Sequence, residues 1–336
     1  MSPSHLAGLP HLHKDYSDYG HTVKLPVLTG SVRTGRMRAM SGPRIITLAT
    51  DFGIADPYVG TMKGVMLSIA PGAHLVDITH QIRPQDVHQA AFVLYAIWRY
   101  FPSQTVHLVV VDPGVGGARR PIAIEATRGY FVAPDNGVLS YILADQPIRA
   151  TVELADPGYR LPEVSHTFHG RDIFAPAAAH LAAGTPIGEL GPAATDPVTL
   201  PPPFLSIDPD VVRGEVLYVD HFGNAITSIG RLSWKGEELS LRPPFQARAG
   251  QSAQLVAGTA LVTAGGREIH GVCRTYAAVT PGDALALVGS TGHLEIAVRE
   301  GSGAEELGLQ RGEPVELRLN PRYRATSRPD GHASLG

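Results

Sequence analysis

The chain has 336 residues and a formal net charge of −3, so it is long enough for two domains and lacks the strongly basic balance that nucleic acid requires. Its single cysteine, Cys273, excludes an internal disulfide and a cysteine-cluster metal site, and suits a reducing cytoplasm. Because no apolar run approaches the roughly 20 residues of a membrane helix and no signal peptide is recognisable, we expect a soluble, cytoplasmic protein without a membrane or nucleic-acid partner.

Residues 1–43 are predicted to be a disordered extension, since they are rich in Pro, Gly, Ser and His and show no sustained hydrophobic period. The alternative is a metal-binding tail built on His5, His11 and His13. Nothing in that segment would hold a coordination geometry, which weakens this alternative. The translation start is open between Met1, Met37 and Met40.

From Arg44 the sequence alternates between apolar strand patterns and helical patterns. Strands are predicted at 44–50, 74–78 and 105–112, with helices between them at 58–70 and 85–101. Further strands are predicted at 121–127 and 129–137, followed by helices at 138–145 and 173–184. Strands of nearly continuous apolar character joined by helices predict a mainly parallel sheet covered by helices on both faces. We therefore expect an α/β domain over residues 44–200.

A second domain is predicted after the three consecutive prolines that begin at Pro201, which favour an extended linker over 201–209. Short β-rich runs with glycine punctuation follow, and no helix of note is predicted before about Ala304. The fold class is thus an α/β N-terminal domain plus a smaller, mainly antiparallel β domain over 210–320. Residues 321–336 are predicted to be a disordered tail.

Three predicted strands end at or near an aspartate, namely Asp51, Asp77 and Asp112. Ligands of open parallel sheets bind outside the carboxyl ends of the strands, where loops converge. Asp112 is the most suggestive of the three, because the glycines after it bring Arg119 back towards the strand end. Arg120 is interpreted as a bystander. The alternative is an exposed turn with an ordinary salt bridge.

The stretch TFHGRDIFAP places His169, Arg171 and Asp172 at the start of a predicted helix, where free N–H groups favour an anion or a developing negative charge. Asp172 could instead be a helix cap that pairs with Arg171. A zinc site of His166, His169 and Asp172 is a weaker alternative, since no further His or Cys stands at a supporting spacing.

The stretch VDHFGNAITSI presents a carboxylate, an aromatic face and a carboxamide within five residues, Asp220, Phe222 and Asn224. Such a set suits an adenine or amino-acid ligand. A type I turn before a strand explains it nearly as well.

Seven motifs, in this order, carry a family resemblance: LATDFGIADPYVGTMKGV, VDITH, VVVDPGVG, APDNG, HGRDIFAP, VDHFGN and GSTGHLEIAV. Together they resemble the S-adenosylmethionine hydroxide adenosyltransferases, the hydrolytic relatives of the adenosyl-fluoride and adenosyl-chloride synthases. The resemblance runs from about Ile45 to Leu317. It does not cover the N-terminal extension or the C-terminal tail.

The resemblance implies roles for individual residues. Asp51 matches the residue that holds the ribose hydroxyls, and Asp56 the residue near the methionine ammonium. The methionine moiety and the adenine would be held by Asp220, Phe222, Asn224 and Ser290, with Tyr276 as an aromatic wall. The catalytic set would be Asp112, Arg119 and His169. Thr291 departs from the pattern of the fluoride-forming members, which have an arginine at this position. The residue that contacts the substrate carboxylate is therefore not identified by the resemblance.

The implied activity is hydrolysis of S-adenosylmethionine to adenosine and methionine, with no cofactor and no metal. The family forms homotrimers with the active sites between subunits, which we expect here. Halide transfer is an alternative, but the halide-forming members have other residues where Asp112, Val115, His169 and Gly170 stand. The Asp112 carboxylate would also repel a halide by about 4 kcal/mol at roughly 4 Å. A sensor that binds S-adenosylmethionine or adenosine without turnover is the second alternative.

Overall fold

The computed structural model describes residues 44–244, 251–319 and 326–327. The predicted extension over 1–43 lies outside the described residues, as does the predicted tail apart from 326–327. Among the helices that the structure describes, none is both long and apolar enough to cross a membrane.

The first part of the fold is a six-stranded sheet. Its strands are β1 (Arg44–Thr50), β2 (Ala73–Thr79), β3 (Thr105–Val110), β4 (Pro121–Ala126), β5 (Gly129–Pro134) and β6 (Ile148–Glu153). The order across the sheet is β2-β1-β3-β5-β4-β6. Strands β1, β2, β3 and β5 are mutually parallel, and β4 runs antiparallel to β5 and β6. The mainly parallel sheet expected from the sequence is confirmed.

Helices cover both faces of this sheet. The helices are α1 (Tyr58–Ile69), α2 (Val87–Ile97), α3 (Ser140–Asp145) and α4 (Ala175–Ala182). Leu48 and Leu108 pack into the core beneath α1 and α4, whereas Ala49 and Val109 pack into the core beneath α2 and α3. Since successive strand residues point to opposite faces, the continuous apolar runs of β1 and β3 serve two cores at once.

The second part of the fold is antiparallel β structure, as expected. Its strands are, in chain order, β7 (Leu205–Ile207), β8 (Val211–Val219), β9 (Ala225–Thr227), β10 (Leu232–Lys235), β11 (Glu238–Leu241), β12 (Gln251–Val256), β13 (Leu261–Ala264), β14 (Arg267–His270), β15 (Ala284–Val288), β16 (Leu294–Val298), β17 (Pro314–Arg318) and β18 (Thr326–Ser327). They form a sheet in the order β14-β13-β17-β8-β9-β16-β15, with β7 beside β8, and a sheet in the order β10-β11-β12-β18. A five-residue helix, α5 (Gly303–Leu307), follows β16. Strand β7 lies inside the segment predicted as a linker.

The α/β and β parts contact each other through α2. Phe92 lies 5.5 Å from the ring of His293 between ring centroids and 5.9 Å from the ring of Tyr218. Asp86, which caps the N-terminus of α2, also accepts a hydrogen bond of 2.8 Å from Arg311. Helix α2 therefore packs against one face of the six-stranded sheet and also contacts the β part.

Candidate active site

The carboxyl ends of β1 and β3 form a crevice where the topology of the sheet changes direction. From β1 the chain passes to β2 on one side, and then returns to β3 on the other side of β1. Ligands of open α/β sheets bind at such a switch point. Asp51 directly follows β1 and Asp112 lies just beyond β3, so the fold brings these two predicted residues to the same edge.

Asp77 differs from these two residues, because it lies inside β2 opposite Leu48 rather than after the strand. Its carboxylate contacts Lys63 at 2.5 Å and Nε2 of His80 at 3.1 Å. Hydrogen bonds from these two side chains lower the pKa of Asp77, although burial opposes them. We assign Asp77 to a structural ion-pair network and not to the crevice.

Asp51 is held by the loop that follows β2. Its Oδ2 accepts a hydrogen bond of 2.8 Å from the backbone N–H of Gln85. Gln85 has a φ of 66°, in the left-handed region that non-glycine residues rarely adopt. This unusual backbone conformation accompanies the contact that fixes the Asp51 carboxylate.

Asp112 and Arg119 form a hydrogen-bonded ion pair just beyond the carboxyl end of β3. Nε of Arg119 donates to both carboxylate oxygens, at 2.9 and 3.0 Å, and Nη2 also donates to Oδ2. Both side chains are largely withdrawn from solvent, with exposed fractions of 9% for Arg119 and 5% for Asp112. Pairs of this kind hold the two charged groups in one plane.

Two glycines of the intervening turn are required by this geometry. A Cβ at Gly114 would lie 3.0 Å from Cγ of Arg119, and one at Gly116 would lie 2.4 Å from the carbonyl oxygen of His166. Gly116 also has a φ of 75°. The turn therefore returns Arg119 to the strand end because side chains are absent at these two positions, as the sequence predicted.

His169 completes the group. Nη2 of Arg119 lies 2.7 Å from Nδ1 of His169 and, as an obligate donor, donates to it. Burial, followed by the neighbouring Arg119 cation, lowers the pKa of His169 below its ordinary value. One guanidinium thus joins Asp112 to His169, which lies 50 residues beyond Arg119 in the chain.

One aromatic ring, Phe174, contacts this group, and three others form a cluster that includes Phe168, the chain neighbour of His169. The guanidinium of Arg119 lies 5.3 Å from the centroid of the Phe174 ring. Phe52, Tyr58 and Phe168 pack edge to face or tilted against one another, with centroids 5.2 to 5.9 Å apart. Apolar rings exclude water and strengthen the electrostatic interactions beside them.

The segment after His169 is a π-helical turn, Gly170–Phe174, that leads into α4. Asp172 is fully buried and accepts hydrogen bonds from Nε of Arg171, at 2.5 Å, and from the backbone N–H of Ser165, at 2.8 Å. Its oxygens are therefore occupied by the protein, which disfavours the zinc interpretation. No group of three or more potential metal ligands occurs among the described residues.

Arg120 is a structural residue rather than a bystander. It donates to Oδ2 of Asp135 at 2.8 and 2.6 Å and to the carbonyls of Thr195 and Asp196. The side chain of Asp135 is only 2% exposed. The two adjacent arginines thus have different partners, one at the crevice and one in the support of the following loop.

The β part contains a separate cavity of about 1030 Å³. The sequence-predicted residues on its wall are Asp220, Phe222, Asn224, Tyr276 and Ser290. Oδ1 of Asp220 accepts from the backbone N–H groups of Phe222 and Asn224, both at 2.9 Å, so the turn is rigid. Phe222 is 75% exposed, which leaves its ring free to contact a ligand or a neighbouring molecule.

Glu295 was missed by the sequence analysis and lies in this cavity. It is 6% exposed and accepts a hydrogen bond from the hydroxyl of Tyr276. Burial raises the pKa of both groups. A Cβ at Gly289 would lie 2.3 Å from Oε2 of Glu295, so the glycine of the GSTG motif makes room for the carboxylate.

The structure divides the predicted site residues into two groups. The residues that line the cavity of the β part fall between 220 and 301, and none belongs to the crevice group of Asp51, Asp112, Arg119 and His169. Asp56 is exposed on the loop before α1.

Comparisons with known proteins agree with the two-part architecture. Sequence models of the SAM hydroxide adenosyltransferase N-terminal and C-terminal domains match residues 46–191 and 214–316. An (R)-S-adenosyl-L-methionine hydrolase from Thermus thermophilus is 42% identical over 284 residues, which cover 82% of this chain and 99% of that protein. A fluorinase from an Actinoplanes species is 31% identical over 57% of this chain and 73% of its own length. The crystal structure of a conserved protein from Thermotoga maritima superposes with a TM-score of 0.70 at 35% identity, over 81% of this chain and 99% of that one.

Proposed function

The chain belongs to the SAM hydroxide adenosyltransferase family, and from this premise we propose that it hydrolyses S-adenosyl-L-methionine (SAM) to adenosine and L-methionine. The observation that carries the proposal is the group of Asp112, Arg119 and His169 at the switch point of the sheet. It combines a carboxylate, a cation and an imidazole beside aromatic rings. These are the groups that can orient and deprotonate a water molecule.

The reaction is displacement at C5′ of SAM. The oxygen of water forms the new bond to C5′, while the C5′–S bond breaks and its electron pair goes to sulfur. Because the sulfonium leaves as a neutral thioether, no general acid is required for the leaving group. The enzyme has to supply an activated nucleophile, and a positioned base typically contributes about 10²- to 10⁴-fold.

The hydrogen bonds favour Asp112 as the proton acceptor. Nδ1 of His169 accepts from Arg119, so the neutral imidazole carries its proton on Nε2 and donates from there. Oδ1 of Asp112 accepts one hydrogen bond from Arg119 and therefore retains a lone pair. In this mechanism Asp112 takes the proton, the Nε2–H of His169 orients the water, and the Arg119 cation stabilises the hydroxide that forms.

The substrate would lie between the two groups of residues. Asp51 binds the ribose hydroxyls and Asp56 lies near the methionine ammonium. Asp220, Phe222, Asn224, Ser290 and Tyr276 bind the methionine moiety and the adenine. Because the crevice residues do not line the cavity of the β part, a second copy of the chain that joins one crevice to a neighbouring cavity would complete the site. We propose a homotrimer of this kind.

This mechanism calls for no cofactor and no metal ion, because the positively charged sulfur already activates C5′ and Arg119 supplies the electrostatic stabilisation. We place the enzyme in the cytoplasm, in keeping with its single cysteine. SAM is then its substrate and not a cofactor.

Halide transfer has weaker support. The fluorinase relative is 31% identical, against 42% for the hydrolase relative, and matches a smaller share of the chain. The repulsion between Asp112 and a halide is reduced by the paired Arg119 cation, so charge alone does not decide between the two reactions. A pure sensor would have no use for a water-activating group.

The test is incubation of the purified protein with SAM and separation of the products by chromatography. We expect adenosine and L-methionine in equal amounts, with no 5′-chloro- or 5′-fluoroadenosine when chloride or fluoride is added. The hydrolase relatives are named for the (R) form, so both sulfonium epimers are assayed separately. Stable SAM with measurable binding would support the sensor, and a halogenated nucleoside would support halide transfer.

A further inference from the structure

Two arginines on the wall of the β cavity, Arg274 and Arg299, have different surroundings. Arg299 donates to the carbonyl of Val279 at 2.8 Å and lies 3.5 Å from the carboxylate of Glu300. The described part of the chain gives the Arg274 guanidinium neutral partners, the Trp234 ring and the carbonyl of Gly236. Its charge is therefore not compensated by a carboxylate there.

The neutral partners hold the Arg274 guanidinium in place. Its central carbon lies 3.9 Å from the centroid of the Trp234 ring, so the ring stacks on one face. Nη2 donates to the carbonyl of Gly236, which prevents the guanidinium from rotating within its own plane. Guanidinium has five N–H donors, so others remain for a ligand. Arg274 lines the cavity, and a preoriented guanidinium without a carboxylate partner among the described residues is suited to bind a carboxylate.

Arg274 also lies beside the loop between β15 and β16. Its neighbour Cys273 donates from its backbone N–H to the carbonyl of Ala286, at 2.7 Å, within β15. Strand β10, which carries the stacking tryptophan, begins where the backbone N–H of Leu232 donates to the carbonyl of Gly292 at 2.8 Å. The segments that position Arg274 are thus tied to β15 by one hydrogen bond and to the loop that carries Ser290 by the other.

Resting on the proposed function, we infer that Arg274 binds the α-carboxylate of the methionine moiety of SAM. This carboxylate is the only anionic group of SAM, and a neutral residue, Thr291, follows Ser290 on the cavity loop. Arg299 has its charge opposed by Glu300, whereas none of the described residues gives Arg274 a carboxylate partner. Arg274 then distinguishes SAM from sulfonium nucleosides that lack a carboxylate.

The test compares Arg274→Ala, Arg274→Lys and Arg299→Ala with the wild-type cavity, all in an Asp112→Ala background so that SAM is not consumed, by calorimetric binding of SAM, decarboxylated SAM and adenosine. Loss of one charged hydrogen-bonded contact is expected to weaken SAM binding about 10- to 100-fold in Arg274→Ala, with a smaller loss in Arg274→Lys. Adenosine has no carboxylate, so its affinity is expected to stay within about 2-fold. The exposed Arg149 of β6 provides a matched control, and Arg149→Ala is expected to bind all three ligands as the wild type does.

Decarboxylated SAM supplies the decisive comparison. The wild type is expected to bind it more weakly than SAM, and Arg274→Ala is expected to lose no further affinity for it. Equal losses for SAM and adenosine, or a loss for SAM in Arg299→Ala that exceeds the loss in Arg274→Ala, would overturn the assignment. Failure of the proposed function looks different, because the wild type would then bind SAM without releasing adenosine.

Discussion

Nη2 of Arg119 donates a 2.7 Å hydrogen bond to Nδ1 of His169, and the same guanidinium binds both carboxylate oxygens of Asp112. A guanidinium has no acceptor, so this contact requires an unprotonated Nδ1. His169 can then donate through Nε2 and does not act as the base in this arrangement. The hydrogen bonds therefore favour Asp112 as the proton acceptor.

The first prediction follows from this assignment and compares two amides at position 169. In His169→Asn the side-chain oxygen can occupy the position of Nδ1 and accept from Arg119, whereas in His169→Gln the amide reaches the position of Nε2. We expect His169→Asn to retain at least about 10-fold more kcat than His169→Gln, because the acceptor that holds the Arg119 cation matters more than the donor that orients the water. Steady-state release of adenosine measures both. A more active His169→Gln would show that the Nε2–H donor towards the water, and not the Nδ1 acceptor for Arg119, is the main contribution of His169.

The adjacent arginines provide a second, matched prediction. Arg119→Gln removes the cation beside the attacking water, so kcat is expected to fall about 10²- to 10³-fold. Arg120→Gln removes the partner of the buried Asp135 and is expected to lower the free energy of unfolding by about 2 kcal/mol, with kcat of the folded enzyme nearly unchanged. Urea unfolding and the adenosine assay separate the two effects. Similar kcat losses in both variants would contradict the division of roles.

The third prediction concerns the adenine wall. Tyr276→Ala removes a ring on which a base can stack, so adenosine binding is expected to weaken about 10- to 100-fold. Tyr276→Phe keeps the ring but leaves the buried Glu295 without its phenolic donor, so a smaller loss is expected. Both effects should appear in KM more than in kcat. Tyr130→Phe, on β5, is the control. Equal affinity in Tyr276→Ala and the wild type would exclude an adenine contact.

How far the sequence predicts this site can be seen residue by residue. The bounds of β1 agree with the apolar run over 44–50, because a strand buried on both faces has an unbroken apolar pattern. Helix α2 was predicted over 85–101 but spans Val87–Ile97, since Asp86 caps it and Trp98 begins a tighter turn. The hydrophobic pattern of a sequence therefore predicts that a helix or strand is present more accurately than it predicts the residues at which it begins and ends.

Side-chain direction is what the sequence could not supply. Glu295 stands in the run LEIAV, where a carboxylate in an alternating strand suggests an exposed position, yet it is buried against Tyr276. Arg120 could not be separated from its neighbour by spacing, and its partner Asp135 is identified only by the fold. The glycines before Arg119 were the useful signal, because a side chain at Gly114 or Gly116 would collide with Arg119 or with the backbone of His166.

The fourth prediction tests the shared site by mixing two inactive variants. Asp112→Ala disables the crevice, and Asn224→Ala disables the cavity of the β part. If each site combines the crevice of one subunit with the cavity of its neighbour, random co-assembly in equal amounts leaves about a quarter of the sites intact. We expect activity near that fraction after joint refolding, and none when the separately assembled variants are mixed briefly. An inactive co-assembly of confirmed mixed composition would mean that each chain builds its own site.

The last prediction concerns acid stability and His293, which is fully buried and donates from Nδ1 to the carbonyl of Thr227 at 2.7 Å. Burial lowers its pKa to about 4, whereas an unfolded histidine titrates near about 6.5. Between these values the unfolded chain binds a proton that the folded chain does not, so stability falls as pH falls through this window. The contribution amounts to at most about 3 kcal/mol.

His293→Asn keeps a donor for Thr227 but does not titrate in this range, so its unfolding free energy should depend less on pH between 6.5 and 4. Above pH 7 the variant is expected to be somewhat less stable than the wild type, because the smaller amide fills less of the space against Phe92 and Tyr95. Urea unfolding at fixed protein concentration over a pH series measures both effects. Parallel pH profiles for the two proteins would show that His293 does not contribute to acid destabilisation.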